Sequence, residues 1–293
     1  MRTAFFLFAG LMLLASTCLM GQSAPVANPK LLILGHAGSG FFTPISPFNF
    51  RPPSSWRGVQ HALDLGADGV EVDLQLSQDS VVILYHDQRL ENNSTGRGCV
   101  SEHSAAQLVQ LRYRGGWPYD WFHKEQPITF DTLLARFSRR PTFPRLHLDL
   151  HEDDQCLPPA QQAARSSVLI RQLARSLRRY QVPLQQVSLV TQEPTTVRLA
   201  RAEMPTLPIG LEVTADDITP GLGQAKAEHV KTLVLDAGRA TPQHMAQARA
   251  AGMSVVLFGG RSPKSIRKTL TLQPDEMEVD NVRRLLILQG RRK

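Results

Sequence analysis

Short apolar runs alternate with amphipathic stretches along most of the chain. Residues 31–34 form a continuous apolar run, which is typical of a strand covered on both faces. A helical pattern follows over residues 54–65, where a serine can cap the start and Gly66 can end the helix in the left-handed conformation. A second β-rich run occupies residues 69–76. This order of strand, helix and strand predicts a parallel βαβ unit.

The same alternation continues to the end of the chain. Further β-rich runs lie at residues 81–85, 145–150, 187–190, 209–213, 232–236, 254–258 and 277–279. Helical patterns lie at residues 130–137, 159–180, 195–202, 242–251 and 262–270. About eight β units, mostly with intervening helices, predict an α/β protein with a (β/α)8 TIM barrel in a single domain over residues 28–293. An open doubly wound sheet is the alternative, and the lack of a glycine-rich dinucleotide motif after the first strand disfavours it.

The second predicted strand carries two acidic residues on one face. Glu71 and Asp73 are two positions apart, so their side chains point the same way, opposite an apolar face. Adjacent carboxylates repel each other unless one is protonated or a cation lies between them. The pattern is therefore typical of a hard-metal site, although a solvated acidic sheet face would look the same in isolation.

Polar residues also mark the ends of the predicted strands. His36, Asp73, His86 and Asp149 each fall at or just past the carboxyl end of a β-rich run. Catalytic groups of (β/α)8 barrels lie at that end. The sequence therefore predicts that these four residues share one site.

The N-terminal segment resembles an export signal. Met1-Arg2 is followed by an apolar run that ends at Ala15 and then by small and polar residues. This pattern predicts a signal peptide over about residues 1–24 and an exported protein, periplasmic or secreted. A lipid anchor through Cys18 is the alternative, although Thr17 fits a lipidation site poorly.

Charge and cysteine content narrow the possible partners. The formal net charge is +7, but the basic residues are scattered and only 6% of residues are aromatic. Nucleic-acid binding favours a basic stripe with interleaved aromatic residues, so we do not expect it here. The positive field suits an anionic substrate or peripheral contact with a membrane surface.

Cys99 and Cys156 can form a disulfide in an oxidising compartment, where such a bridge is optional for a domain of this size.

Four motifs occur in a characteristic order. They are H-x-G at His36, then G-A-D-G-V-E-V-D-L-Q-L-S-Q-D, then V-V-I-L-Y-H-D-x-x-L with N-S-T-G-x-G close behind, then I-T-F-D-T-L-L. Together they closely resemble the glycerophosphodiester phosphodiesterase family. The resemblance covers nearly everything after the predicted signal peptide, and the combined pattern is highly specific although each motif alone is weak.

The resemblance implies a metal-dependent enzyme that hydrolyses glycerophosphodiesters to glycerol 3-phosphate and an alcohol. It implies a TIM barrel with a small insertion at about residues 88–127. It also implies that Glu71, Asp73 and Asp149 bind a divalent cation, and that His36 and His86 form the acid–base pair. Oxygen ligands favour Mg²⁺ or Ca²⁺ over zinc. The sequence does not decide which histidine is the acid and which the base.

Three positions depart from the family pattern. Ala37 replaces the usual Arg, Asp149 replaces the usual Glu, and His151 replaces the usual Lys. His147, Asp149 and His151 share one strand face, so His151 is a candidate for the site. We interpret His147 as a packed polar residue inside the barrel. The candidates by position to replace the missing phosphate-binding cations are Lys124, Arg89 and Arg261.

Two other functions remain open at this level. One is a lipid-directed phosphodiesterase that resembles phospholipases C or D, with a lipid head group as the substrate. The other is a non-catalytic phosphodiester-binding relative. All five central groups are present while only supporting ones differ, and this favours catalysis.

Overall fold

The computed structural model describes residues 31–41, 51–116, 119–122, 124–214 and 216–292. The predicted signal peptide, its cleavage site and Cys18 lie outside these residues. No helix in the described part of the chain is long and apolar enough to cross a membrane.

Eight parallel strands form a closed barrel. In chain order the strands of the described residues are β1 (Leu32–Gly35), β2 (Gly69–Leu76), β3 (Val82–Leu84), β4 (Ile128–Thr129), β5 (Arg145–Leu150), β6 (Val187–Thr191), β7 (Ile209–Val213), β8 (Thr232–Asp236), β9 (Ser254–Phe258) and β10 (Glu276–Val279). The barrel order is β1-β2-β5-β6-β7-β8-β9-β10, and β10 closes the sheet by pairing with β1. The predicted (β/α)8 barrel is confirmed.

Helices connect the barrel strands. They are α1 (Trp56–Leu65), α2 (Ala105–Leu108), α3 (Tyr119–Phe122), α4 (Phe130–Phe137), α5 (Pro159–Arg179), α6 (Pro194–Glu203), α7 (Thr219–Ala227), α8 (Pro242–Ala250), α9 (Pro263–Thr271) and α10 (Val282–Leu288). The ends of α1 follow the sequence signals, because Ser55 accepts a hydrogen bond from the Gly58 amide and Gly66 is left-handed. The sequence pattern did not predict α7, which contains two glycines that weaken helix propensity.

The main core lies between the outer face of the barrel and these helices. In β2, Val70, Val72 and Leu74 are fully buried in this core. Glu71 and Asp73 alternate with them and line a cavity inside the barrel, where each is only 2% exposed. The solvated acidic face that the sequence left open is therefore excluded.

The β-rich run at residues 81–85 is not a barrel strand. β3 pairs antiparallel with β2, and β4 pairs antiparallel with β3. Only residues 77–81 separate β2 from β3, whereas a parallel crossover needs a dozen or more residues. The chain therefore returns as a hairpin, and the β-rich run that the sequence indicates at this position is not one of the eight parallel barrel strands.

The segment between β3 and β4 packs around a small apolar cluster of its own. The buried members are Ile83, Tyr85, Leu90, Val100, Ala105, Leu108, Tyr113 and Tyr119. A disulfide joins Cys99 in this segment to Cys156 in the loop between β5 and α5, with the two Cα atoms 6.1 Å apart. The bridge that the sequence left open is formed, and it ties the segment to a loop at the barrel mouth.

Candidate active site

A cavity of about 530 Å³ opens at the carboxyl ends of the barrel strands. Its lining includes all five residues predicted from sequence, which are His36, Glu71, Asp73, His86 and Asp149. The structure therefore brings together residues from β1, β2, β3 and β5 that lie up to 113 positions apart.

Three carboxylates converge on one side of this cavity. Asp73 of β2 and Asp149 of β5 are neighbours in the parallel register. Glu71, Asp73 and Asp149 each place one oxygen within 4.8 Å of the others. The Ala37 amide donates to Glu71 Oε2 at 2.5 Å. Glu71 Oε1 is buried and has no hydrogen-bond partner among the described residues. An acceptor in this position fits a bound divalent cation, because buried polar groups otherwise find partners.

Asp73 is held by a serine in an unusual backbone conformation. Ser54 donates its hydroxyl hydrogen to Asp73 Oδ2 at 2.6 Å and accepts from the Asp73 amide at 3.0 Å. Ser54 is fully buried and left-handed, with φ of 52°. The left-handed region is costly for a residue with a side chain. The paired hydrogen bonds to Asp73 help to hold Ser54 in this conformation.

The crowded charges separate the pKa values of Glu71 and Asp73. Burial, followed by the charges of Asp73, Glu278 and Asp149, raises the pKa of Glu71 well above its usual range. Burial acts in the same direction on Asp73, but hydrogen bonds and charge from His151, the charge of His86 and the Ser54 hydroxyl hold its pKa below the usual range. One carboxyl group is therefore favoured as protonated and its neighbour as ionised. A bound cation would offset the repulsion among the acids, which adds to the effect of burial on Glu71.

His36 follows β1 and is anchored by an aspartate. Its Nδ1 lies 2.8 Å from Asp280 Oδ1, directly after β10. Burial disfavours the charged imidazole, but the hydrogen bond and charge of Asp280, with smaller contributions from Glu278 and Asp73, raise the pKa of His36 to about 9. The contact with Asp280 leaves Nε2 for exchange of a proton in the cavity.

His86 has a matching anchor. Its Nδ1 lies 2.8 Å from Asp87 Oδ1, and Asp87 also accepts a hydrogen bond from Asn93. Gln75 donates to the Asp87 backbone carbonyl at 2.9 Å and so fastens this loop to β2. The ring of Phe41 lies between the two histidines, with centroid distances of 5.0 Å to His36 and 4.6 Å to His86.

The structure also places His151 in the site. Its Nε2 lies 3.0 Å from Asp73 Oδ1 and 3.7 Å from Asp149 Oδ2. Burial disfavours the charged form, but Asp149 and Asp73 raise the pKa of His151 well above its usual range. The imidazole of His151 thus occupies the space between two of the carboxylates that the sequence assigned to a metal.

Comparison with known proteins decides the family. A family model described as the glycerophosphoryl diester phosphodiesterase family matches residues 50–284. The chain belongs to this family. The resemblance seen in the sequence is confirmed.

Relatives of this glycerophosphoryl diester phosphodiesterase family member have been named in several bacteria. A Mycobacterium tuberculosis protein named "Probable glycerophosphodiester phosphodiesterase 1" is 44% identical over 71 residues, which cover 24% of this chain and 26% of that protein. The match thus spans about a quarter of the relative's length.

Solved structures of the same family share the fold over nearly the whole barrel. A glycerophosphodiester phosphodiesterase from Agrobacterium tumefaciens is similar with a TM-score of 0.67 and 18% identity, covering 88% of this chain and 99% of that one. An Oleispira antarctica phosphodiesterase, solved with the product sn-glycerol-3-phosphate, is similar with a TM-score of 0.71 and 18% identity, covering 88% and 96%. At this identity the similarity shows the fold.

Sequence reasoning missed five further acidic residues that line the cavity of this family member. Glu212 of β7 and Glu278 of β10 lie on barrel strands, and Glu152, Asp153 and Glu193 lie outside the strands. Burial and the charges of Asp149 and Glu278 raise the pKa of Glu212 to about 8. Alternation within each strand could have marked Glu212 and Glu278 as inward-facing. Glu276 and Glu278 show the same spacing as Glu71 and Asp73.

The basic residues considered as replacements for missing phosphate contacts do not line the cavity. Arg89 pairs with Glu91 at 2.9 Å, and Arg261 lies 3.6 Å from Asp280 Oδ2 at the edge of the site. Neither these two nor Lys124 is among the described lining residues. Ala37 is fully buried, and it contributes its backbone amide to Glu71.

His147 lies inside the barrel, as interpreted from the sequence, with 1% of its side chain exposed. Its Nδ1 lies 2.6 Å from Glu278 Oε1. Its Nε2 lies 3.1 Å from Glu276 Oε2, in an ion pair that lacks hydrogen-bond geometry. Glu276 pairs in turn with Arg145 at 2.9 Å.

Proposed function

We propose that this protein is an exported, metal-dependent phosphodiesterase that hydrolyses glycerophosphodiesters to glycerol 3-phosphate and an alcohol. The observation that carries the proposal is the convergence of Glu71, Asp73 and Asp149 beside two histidines, each anchored at Nδ1 by an aspartate. Membership of the family supports the reaction class. The related phosphodiesterase solved with sn-glycerol-3-phosphate supports the product.

In this proposal Glu71, Asp73 and Asp149 hold one divalent cation. Their oxygen donors suit Mg²⁺ or Ca²⁺. The bound cation supplies charge neutralisation for the phosphate oxygens of the substrate. The backbone amide of Ala37 and the hydroxyl of Ser54 keep Glu71 and Asp73 in position.

His36 and His86 carry the protons. One imidazole accepts a proton from the attacking water or hydroxyl group, and the other donates one to the leaving alcohol. Asp280 and Asp87 fix the two rings through their Nδ1 atoms, so that each presents Nε2 for this exchange. Phe41 packs against both rings.

The proposal of export rests on the N-terminal sequence pattern and on the Cys99–Cys156 disulfide. Disulfides persist in oxidising compartments. We expect the mature chain to begin after residue 17 and before residue 30, which N-terminal sequencing of protein from the native host can test. A diacylglycerol mass on Cys18 would identify the lipid-anchored alternative, and an intact Met1 on exported protein would contradict cleavage.

A turnover assay tests the function directly. Purified protein is treated with EDTA and assayed with glycerophosphocholine, glycerophosphoethanolamine and a lysophospholipid, before and after addition of Mg²⁺ or Ca²⁺. We expect release of glycerol 3-phosphate from the first two substrates only after addition of the cation. Preference for the lysophospholipid would favour the lipid-directed alternative. Full activity in EDTA would exclude the metal role, and cation binding without turnover would favour a non-catalytic relative.

A further inference from the structure

His151 occupies a place where the family resemblance leads one to expect a lysine. The backbone amide of His151 donates to the Leu74 carbonyl at 3.0 Å, which fixes the residue beside β2 just after the end of β5. From there the side chain lines the cavity and contacts two of the three carboxylates. Its Nε2 contacts Asp73 Oδ1 at 3.0 Å and lies 3.7 Å from Asp149 Oδ2.

These distances match those between ligands of a single cation. With metal–nitrogen and metal–oxygen bonds of about 2.0–2.2 Å, neighbouring ligands of a tetrahedral ion lie about 3.3–3.6 Å apart. The two separations from His151 Nε2 bracket this range. In the cation-free protein Nε2 makes a hydrogen bond with Asp73 and an ion-pair contact with Asp149, so a cation can take the place of the Nε2 proton with only small movements of the side chains.

The chemistry at this position differs from that of a lysine. An ammonium group carries three donors and no acceptor, so it pairs with carboxylates or phosphate but cannot bind a metal. A neutral imidazole offers a nitrogen lone pair and is a common ligand of zinc and other transition metals. The exchange of lysine for histidine therefore replaces a positive charge, which competes with the cation for the carboxylates, by a side chain that can bind the cation.

We propose that His151 Nε2 is a nitrogen ligand of the cation held by Glu71, Asp73 and Asp149, and that this centre is selective for Zn²⁺ over Mg²⁺ and Ca²⁺. This inference rests on the proposed function and names the class of cation. Three carboxylates alone accept Mg²⁺ or Ca²⁺, whereas a mixed nitrogen and oxygen set gives added affinity to transition-metal ions.

Metal titration of the full chain distinguishes a site made of the three carboxylates alone from one that also includes His151. Chelator-treated wild-type protein, His151→Gln and His151→Lys are titrated calorimetrically with Zn²⁺, Mn²⁺, Mg²⁺ and Ca²⁺. We expect both substitutions to weaken Zn²⁺ binding by at least about tenfold, while Mg²⁺ binding by His151→Gln changes by less than about threefold. His244→Gln, at a surface helix position, is the matched control and should bind like wild type. Equal losses for Zn²⁺ and Mg²⁺ in His151→Gln would overturn the proposal.

A spectroscopic readout identifies the donor atom. Pulsed EPR of the Mn²⁺-loaded protein should show coupling to an imidazole nitrogen in wild type and in His244→Gln, and no such coupling in His151→Gln. His86→Gln should retain it, although His86 lies near Asp73 and His151. Absence of nitrogen coupling in wild type, or its loss in His86→Gln alone, would overturn the assignment. Circular dichroism establishes that each variant is folded, and His151→Asn replaces His151→Gln if the latter is not.

These measurements involve no turnover, so the two proposals fail separately. Zinc binding through His151 without hydrolysis of any diester would leave the inference standing and remove the proposed function. Hydrolysis that is supported by Mg²⁺, together with no nitrogen coupling, would do the reverse.

Discussion

Two neighbouring layers of charged residues fill one side of the barrel interior, and they differ in whether their charges are paired. The lower layer consists of Arg145, His147, Glu276 and Glu278. There His147 lies between the two glutamates and Arg145 pairs with Glu276. The mouth layer consists of Glu71, Asp73, Asp149 and His151. It has three acids for one basic residue, and one buried acceptor lacks a partner among the described residues.

The difference shows that acidic residues and histidines play different roles at different depths in the barrel. β5 supplies both layers, with Arg145 and His147 below and Asp149 above. In the lower layer each charged residue has an interior partner of opposite charge, which is what a buried ionic group requires to be tolerated, although Arg145 Nε, His147 Nε2 and Glu276 Oε2 lack hydrogen-bond partners among the described residues. In the mouth layer the acids outnumber the one basic residue, and either protonation of Glu71 or a bound cation would relieve the excess negative charge. We therefore assign the lower layer to the fold and, under the proposed function, the mouth layer to the chemistry.

Loss of either histidine that we propose as a proton carrier should have the largest effect on activity and almost none on cation binding. We expect His36→Ala and His86→Ala each to lower kcat by about 10²–10⁴-fold, the range for loss of a general acid or base. Calorimetry should show nearly unchanged metal binding in both. Asp73→Asn is the contrasting variant, which should lose most metal affinity. Unchanged kcat in either alanine variant would remove that histidine from the mechanism.

Breaking the lower layer should cost stability. His147→Ala leaves Glu276 and Glu278 without their shared partner in the interior, and removal of one member of a buried ion pair costs about 3–5 kcal/mol. Urea unfolding monitored by circular dichroism measures the change in free energy. Arg239→Ala, which removes an exposed pair with Asp216, is the control and should fall within about 0.5 kcal/mol of wild type. A loss for His147→Ala that is no larger than this control would show that the lower layer is not structurally important.

Cation binding should stabilise the mouth layer. At a free cation concentration 100 times Kd, binding to the folded state alone adds about 2.7 kcal/mol. We expect the melting temperature to rise on addition of the cation and to fall again with EDTA. In Asp73→Asn the same addition should produce little shift, whereas His147→Ala should keep the shift if it folds. An equal shift in wild type and Asp73→Asn would place the cation elsewhere.

The smallest expected effect is on the free energy of unfolding, which one substitution in the mouth layer should leave unchanged or raise. Glu71→Gln removes one acid from the crowded mouth layer while the side-chain carbonyl can still accept from the Ala37 amide. In the presence of EDTA near neutral pH we expect this variant to be as stable as wild type or more stable by up to about 1 kcal/mol. Burial and the neighbouring acids raise the pKa of Glu71, so folding at this pH must either bury its charge or add a proton to it, and Gln needs neither. Urea unfolding in EDTA checks it. Destabilisation beyond about 1 kcal/mol would mean that the Glu71 carboxylate makes a stabilising contact other than the hydrogen bond from the Ala37 amide.

The sequence was sufficient to predict the barrel and the convergence of the five predicted site residues. The prediction depended on two local patterns, which are the polar residues at strand ends and the period of two in β2. Both patterns are visible without a structure. The pattern could not separate Glu71 and Asp73 from Glu276 and Glu278, because both pairs have the same spacing. What distinguishes them is His147, which lies about 130 positions before β10 in the chain and beside it in space.

The anchor of His36 was also missed because it is a contact between residues that are distant in the chain. Asp280 anchors His36 from 244 positions away, and nothing local identifies that contact. The antiparallel course of β3 was readable in principle, since the five residues between it and β2 are too few for a crossover. A β-rich composition alone does not give the direction of a strand.

The hairpin that carries β3 has a practical consequence for protein engineering. His86 reaches the cavity on a segment that leaves the barrel beside β2, packs around its own apolar cluster and returns through β4. The three carboxylates, by contrast, lie on the barrel strands themselves. Within residues 88–127, Gln88 is the described residue that lines the cavity. Substitutions at Gln88 can therefore vary the lining of the cavity while the barrel strands that carry the three carboxylates stay unchanged, so this position is the place to begin directed evolution of substrate preference.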